Sequence, residues 1–206
     1  RAALFSLQDG SSIKFGTLYD FAKRAQASTG VRAAFIMAVM SQETNLGANT
    51  GQCYMKDSGG GLVSISSGAS RGEMRPNSVQ PFISITQAVG RDTFKTKVSC
   101  AFQGYGGAMG IAQFMPATWM SIKKRIENAS GATYADPWNN YHAVTAMGIF
   151  LADLGAAKQT TEAERNAACR YYSGRACSAG VGNAYGNAVL RKEASIQAQI
   201  DLLQGE

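Results

Sequence analysis

Apolar residues recur along this chain at helical spacing, in blocks separated by glycine and proline. Phe21, Ala22 and Ala25 share one face of a predicted helix over residues 19–27. After the breaker Gly30, apolar positions continue through a second helix over 31–46, and a third follows near 82–91. Pro116 stands where a first-turn proline belongs, and Trp119, Ile122, Ile126 and Ala129 repeat behind it with the same period. Asp136-Pro137 punctuates the next start, and Val144, Met147, Leu151 and Leu154 form a stripe that ends at Gly155. Helices over 161–172 and about 183–203 complete the set. No repeat, low-complexity tail or strand–helix alternation interrupts the pattern. It predicts a mainly α fold of about seven helices in a single domain over 1–206, with residues 1–15 as an N-terminal extension.

The character changes between the second and third helices. Residues 47–81 hold seven glycines and six serines, a density that marks a long loop with a short hairpin around Leu62-Val63-Ser64-Ile65-Ser66. Long structureless loops inside compact domains are uncommon and often functional. This composition predicts mobility.

Composition narrows the class. With 206 residues, 45% hydrophobic and 17% charged, the chain can bury a real core and is not a disordered polymer. The longest apolar run, 33–40, is far short of the ~20 residues of a membrane span. The net charge of +6 favours polyanionic partners, but the basic residues are scattered. Only Lys123-Lys124-Arg125 are adjacent, without the interleaved aromatics of a nucleic-acid groove, and they read as a solvated helix face. Nucleic acid is therefore not expected as a partner. The chain opens on Arg1 with no charged-then-apolar leader, so it is read as part of a longer protein and is expected to act as a monomer.

Cys53, Cys100, Cys169 and Cys177 form no C-x-x-C pair, and the single His142 cannot complete a zinc-finger pattern. Four cysteines allow three pairings. Cys53–Cys100 with Cys169–Cys177 is favoured, because the second pair is only 8 residues apart. Such bridges would indicate an oxidising, extracytoplasmic compartment, against the alternative of four buried free thiols.

Two motif matches fail on context. Gly68-Ala69-Ser70-Arg71-Gly72 is formally G-x-S-x-G, but a nucleophile elbow needs a strand before it and a helix after it. Loop composition precedes Ser70, Pro76 follows, and His142 falls inside a predicted helix. Gly104 to Gly110 imitates a dinucleotide loop, yet Met109 takes the third glycine's place and no strand is predicted before it. No cofactor is expected.

Glu43 is the informative carboxylate. It lies seven residues after Ile36 and four after Val39, so it projects from nearly the same helix face as those apolar groups. At the end of a buried stripe, desolvation disfavours the charged form and raises the pKa. A carboxyl held protonated near neutral pH suits a general acid. The competing reading is a helix-end glutamate turned to solvent or satisfied by a structural partner.

Four segments resemble one enzyme family. Met40-Ser41-Gln42-Glu43-Thr44-Asn45-Leu46-Gly47 resembles the helix end that carries the catalytic glutamate of lytic murein transglycosylases. Residues 107–119, Gly-Ala-Met-Gly-Ile-Ala-Gln-Phe-Met-Pro-Ala-Thr-Trp, are similar to the family's G-x-x-Q-F-M-P-x-[ST] signature, most of all in the membrane-bound lytic transglycosylase B branch. Asp136-Pro137-Trp138 through Ala143 resembles that branch's D-P-x…A helix start, and Tyr171-Tyr172-Ser173-Gly174 its tyrosine-asparagine-glycine element. The four occur in family order over 40–174.

The resemblance implies a lysozyme-like helical domain whose cleft takes peptidoglycan glycan strands outside the cytoplasm, in a periplasm or cell wall of bacterial or phage origin. Glu43 would protonate the bond between N-acetylmuramic acid and N-acetylglucosamine, then accept the C6 hydroxyl proton as a 1,6-anhydro end closes. One carboxylate then suffices, where ordinary glycosidases use two; Asp57 and Glu73 are the only second acids to test. Tyr172 would hydrogen-bond and orient Glu43, with Gln113 and Thr44 beside the scissile sugar. Ser173, in place of the usual asparagine, would contact substrate, and Phe114 and Tyr105 would stack on sugar faces, against the alternative of core packing for such aromatics. Met109, Met115 and Trp119 are expected in the core, and the Cys169–Cys177 bridge would brace the loop carrying Tyr172. The 47–81 loop would wall the cleft. A goose-type lysozyme, using water in place of the C6 hydroxyl, and a non-catalytic peptidoglycan-binding module are the alternatives; Glu43, Gln113 and Tyr172 together disfavour the second.

Overall fold

The computed structural model describes residues 4–6, 12–44, 50–177 and 181–205. These residues form seven α-helices and five short strands, the mainly α architecture that the periodicity predicts. Strands β1 (Leu4–Ser6) and β2 (Ser12–Lys14) pair antiparallel, which the sequence reading missed by treating 1–15 as an extension. Helix α1 (Phe15–Thr29) follows directly and begins four residues before its predicted start. Gly30, in the left-handed region at φ 76°, ends it by returning its N–H to the Gln26 carbonyl. Helix α2 (Ala33–Thr44) comes next. The motif residues Asn45, Leu46 and Gly47 lie outside the described residues, as does the start of the expected 47–81 loop.

The rest of that loop is ordered structure, in which the hairpin expected around residues 62–66 forms part of a three-stranded sheet. Strands β3 (Cys53–Met55), β4 (Gly61–Ser64) and β5 (Ser70–Glu73) form an antiparallel meander, with Cys53 opposite Ser64 and Gly61 opposite Glu73. Helix α3 (Pro76–Ala88) then starts six residues before its predicted start. The composition misled for two reasons. The strands are only three or four residues long and β5 is exposed throughout, so no clear alternation shows among the glycines. Pro81, read as a boundary, sits inside α3, while Pro76 takes the first turn. The Cys53–Cys100 disulfide and backbone bonds between Cys53 and Val98, at 2.9 and 3.1 Å, tie the sheet to the segment ahead of the signature loop.

Helices α4 (Pro116–Ser130), α5 (Asn140–Asp153), α6 (Thr161–Ser173) and α7 (Val181–Gln204) complete the fold, with a single 3-10 turn, Ala156–Lys158, between α5 and α6. The Asn139 side chain caps α5 by accepting the N–H groups of Tyr141 and His142, and Thr160 caps α6 through Ala163. Lys123 and Lys124 pair with Glu127, and Arg125 pairs with Asp153, so the one basic run is locally neutralised. The Cys169–Cys177 bridge ties the last turns of α6 to the chain beyond it, so both favoured pairings form. Among the described residues no helix is long and apolar enough to cross a membrane.

Two helices, α2 and α5, are buried nearly all round, with α1, α4, α6 and α7 packed about them. Of the 12 residues of α2, all but Gln42 and Glu43 are buried. The helix that carries Glu43 is thus a core element that opens at its last turn.

Candidate active site

Glu43 emerges where the burial of α2 ends. Its carboxyl accepts a short hydrogen bond from the Tyr185 hydroxyl of α7. Burial raises the Glu43 pKa above the ordinary carboxylate range, and the Tyr185 bond, which favours the charged form, offsets only part of that. Tyr171 of α6 is also close enough to feel the Glu43 charge. The phenols of Tyr171 and Tyr185 are both pushed upward, chiefly by burial and then by that charge. A partly buried carboxyl beside two phenols whose pKa values are pushed upward can hold and release a proton.

The partner hydroxyl differs from the expected one. Tyr185, not Tyr172, bonds Glu43, while the half-exposed Tyr172 ring stacks on Tyr185 with centroids 4.8 Å apart and planes 20° off parallel. Tyr172 therefore braces the tyrosine that does the bonding. Tyr185 escaped the sequence reading, although small neighbours, Ala184 and Gly186, flank it near the start of a predicted helix. Gly186 is the usable signal. A Cβ there would lie 2.7 Å from the Cys169 sulfur and 3.2 Å from the Arg165 carbonyl. Only glycine lets α7 press this closely on α6 and bring Tyr185 to Glu43.

The signature loop is fixed from behind. Met109 and Phe114 bridge back to back, with the Met109 N–H donating to the Phe114 carbonyl at 3.0 Å, and 110–113 form the turn between them. Gly110 has φ +60°, and a Cβ there would fall 2.0 Å from the Pro137 carbonyl oxygen, so the turn seats directly against the Asp136-Pro137 segment. Gln113 holds the left-handed region at φ 54°, a strained choice for a side-chain-bearing residue. Its Nε2 donates to the Gly110 carbonyl at 2.8 Å, which leaves the amide oxygen to accept from a ligand.

Phe114 does not face a ligand. It is 4% exposed and begins an edge-to-face series, 5.9 Å from Trp119 and 5.6 Å from Phe150, which in turn lies 5.7 Å from Tyr171. The core reading wins for Phe114 because its backbone bridge to Met109 turns the ring inward. The same series connects the Gln113 turn to the tyrosine beside Glu43. Met109 and Trp119 are buried, while Met115 is half-buried at the cap of α4.

The remaining candidates divide. Thr44 is buried, and its hydroxyl bonds back to the Met40 carbonyl at 2.8 Å, the usual habit of threonine in a helix, so it does not face substrate as expected. Ser173 ends α6, donating to the Cys169 carbonyl at 2.8 Å and accepting the Arg175 N–H at 3.3 Å; its hydroxyl serves the helix end. Tyr105 is half exposed, with the Arg75 guanidinium 5.3 Å above its ring, on a loop joined to β5 by the Gly106 N–H and the Glu73 carbonyl. Asp57 and Glu73 are exposed, and Asp57 accepts the Gly59 N–H of its own turn at 2.9 Å. His142 accepts the Asp136 N–H on Nδ1 at 3.0 Å, and burial lowers its pKa, so it is a structural residue. Ser70 lies in an exposed strand with no elbow. Residues 104–110 neither follow a strand nor open a helix, so the dinucleotide geometry is missing. Among the described residues, no three His, Cys, Asp or Glu side chains gather as metal ligands would.

Residues 11–178 match the family model described as "Transglycosylase SLT domain", a span that includes Glu43, Gln113 and Tyr172 and stops short of Tyr185. A solved 36 kDa muramidase/transglycosylase is similar at 21% identity and a TM-score of 0.50, over 68% of this chain and 43% of that one. The Escherichia coli lytic transglycosylase Slt35, in complex with bulgecin A, is similar at 21% identity and a TM-score of 0.49, over 68% of this chain and 42% of that one. The chain spans a little over two fifths of each, and the first likeness supports the lysozyme-like, mainly α fold. No curated protein matches the chain.

Proposed function

Because the chain belongs to the transglycosylase SLT domain family, we propose that it cleaves the β-1,4 bond between N-acetylmuramic acid and N-acetylglucosamine in peptidoglycan, leaving a 1,6-anhydromuramic end. Glu43 carries the proton in both halves. Its protonated carboxyl gives the proton to the bridging oxygen as the C1–O bond breaks and N-acetylglucosamine leaves with its 4-hydroxyl restored. The muramic N-acetyl group assists at C1. The Glu43 carboxylate then takes the C6 hydroxyl proton as that oxygen bonds C1, which returns Glu43 to its starting state with no water consumed.

The observation that carries this reading is the raised pKa of Glu43 at the open end of a buried helix, with the Tyr185 hydroxyl on its oxygen. Burial favours the acid form, and the phenol steadies the carboxylate that forms next. Gln113 and Tyr105 are the side chains we assign to the glycan, through an amide oxygen and a half-exposed ring. Two disulfides and the proposed cell-wall substrate support a location outside the cytoplasm.

Mass spectrometry of purified peptidoglycan after digestion tests the assignment. Anhydro ends, one water lighter than reducing ends, are expected. Reducing muramic ends would move the chain to hydrolytic lysozymes, and unchanged peptidoglycan would leave a glycan-binding module. Undiminished cleavage by Glu43→Gln would remove Glu43 from the chemistry.

A further inference from the structure

Three segments come together near Glu43, and the same three meet again roughly two to three turns away along each. Arg32 immediately precedes α2, Glu164 lies in the first turn of α6, and Glu193 lies midway along α7. The Arg32 guanidinium donates through Nε and Nη2 to both oxygens of Glu164, at 2.8 and 2.5 Å, and Nη2 also reaches Glu193. Glu164 is fully buried and Glu193 nearly so. At about 1.5 Å per residue, Arg32 stands roughly 16 Å from Glu43 along its segment, Glu164 roughly 10 Å from Tyr171, and Glu193 roughly 12 Å from Tyr185. Helix α7 runs opposite to α2 and α6, so the ionic cluster closes one end of this bundle and the Glu43–Tyr185 bond closes the other.

Two buried carboxylates on one guanidinium are a poor source of stability, because desolvation of the charges consumes most of the attraction. They are a strong source of registration, since the guanidinium fork accepts partners only along fixed directions. A one-residue slip of α7 would turn Tyr185 about 100° away from Glu43 and break the fork as well. Arg165 adds to the same seam through Asn187 at 3.0 Å and through Asn183.

We infer that Arg32 is a positioning residue for Glu43: by gripping Glu164 and Glu193 it fixes the register of α7 on α2 and α6, and so holds the Tyr185 hydroxyl on the Glu43 carboxyl. The inference rests on Glu43 being the proton carrier, but its test reads the carboxyl itself.

The experiment is carbon NMR titration of Glu43 in protein labelled at glutamate carboxyls, with Glu43→Gln identifying the resonance. Tyr185→Phe removes a bond that favours the charged form, so the Glu43 midpoint rises by about one pH unit. Arg32→Lys keeps the charge but loses the fork. It is expected to raise the midpoint comparably, and Arg32→Lys combined with Tyr185→Phe is expected to go no further than Tyr185→Phe alone. Glu193→Gln serves if Arg32→Lys does not fold. Replacing a protonated carboxyl would leave the Glu43 midpoint in place and removing a negative charge would lower it, so a rise can come only from lost positioning. A folded Arg32→Lys or Glu193→Gln protein with an unmoved midpoint overturns the inference, as does a Tyr185→Phe protein with no rise. Cleavage that persists in Glu43→Gln would sink the functional reading while leaving this result intact.

Discussion

Glu193→Gln is expected to remove a loss of stability that the protein suffers between weakly acidic and weakly alkaline pH. Burial, and then the nearby Glu164 charge, push the Glu193 carboxyl up to about 7 from 4.5, although it shares Arg32. Between those values the native state holds a proton that the unfolded chain has released. The folded pKa is raised, so the stabilisation is fully present below about 4.5 and is lost as pH rises through 7. At about 1.4 kcal/mol per unit, the shift corresponds to about 3 kcal/mol, or roughly 6–12 °C in Tm for a domain of this size. The assay is urea denaturation at steps from pH 4.5 to 8, carried out in a Glu43→Gln background because the raised Glu43 pKa bends the curve the same way. His142, whose pKa burial lowers, bends it oppositely but equally in both proteins. The difference between Glu193→Gln and its parent therefore isolates Glu193. Equal pH slopes in the two proteins would refute the reasoning, and so would a parent that gains on the variant as pH rises.

Phe114→Ala is expected to cost about 3–5 kcal/mol of stability as a large-to-small change in the core, with glycan affinity of the folded fraction unchanged; calorimetry and a peptidoglycan pull-down separate the two. Tyr172→Phe is expected to leave the cleavage rate near wild type, because that hydroxyl is not the one on Glu43, whereas Tyr172→Ala unsupports the Tyr185 ring and slows turnover. Muropeptide release from both variants checks this. Removing the Cys53–Cys100 bridge, with its sequence separation of 47, is expected to cost about 4 kcal/mol, against about 2.5 kcal/mol for Cys169–Cys177 with its separation of 8. Urea midpoints of the two double-alanine proteins give the order.

What the sequence made legible was local. Glu43 announced itself because a single helix carries both the apolar stripe and the carboxylate that ends it, and the helices around Trp119 and Met147 showed the same short-range period. The meander was legible only as a short hairpin around residues 62–66, since β5 is exposed on both faces and its neighbours are too short to alternate. Tyr185 was not legible. Its bond to Glu43 spans 142 residues, and no spacing rule reaches that far. Phe114 and Thr44 failed differently: a motif fixes which residues occur, but the bridge from Met109 and the threonine's bond back to Met40 decide which way they point.

The site's chemistry follows from a gradient of burial along one helix. Ten of the 12 residues of α2 are buried, and a carboxylate placed further inside would be locked in its neutral form, while one placed beyond the last turn would ionise as in water. At Glu43 the desolvation is partial and one phenol favours the charge, so the pKa is raised by less than burial alone would raise it. A group that donates a proton and then accepts one within a single turnover, as proposed for Glu43, works best under that balance. Moving the acid toward the core upsets it from one side, and removing the Tyr185 hydroxyl upsets it in the same direction. Tyr185→Phe should therefore hold Glu43 in its acid form to higher pH, extending the alkaline limb of the rate profile while depressing its maximum. A depressed maximum with an unmoved limb would mean that Tyr185 serves the substrate instead of the carboxyl.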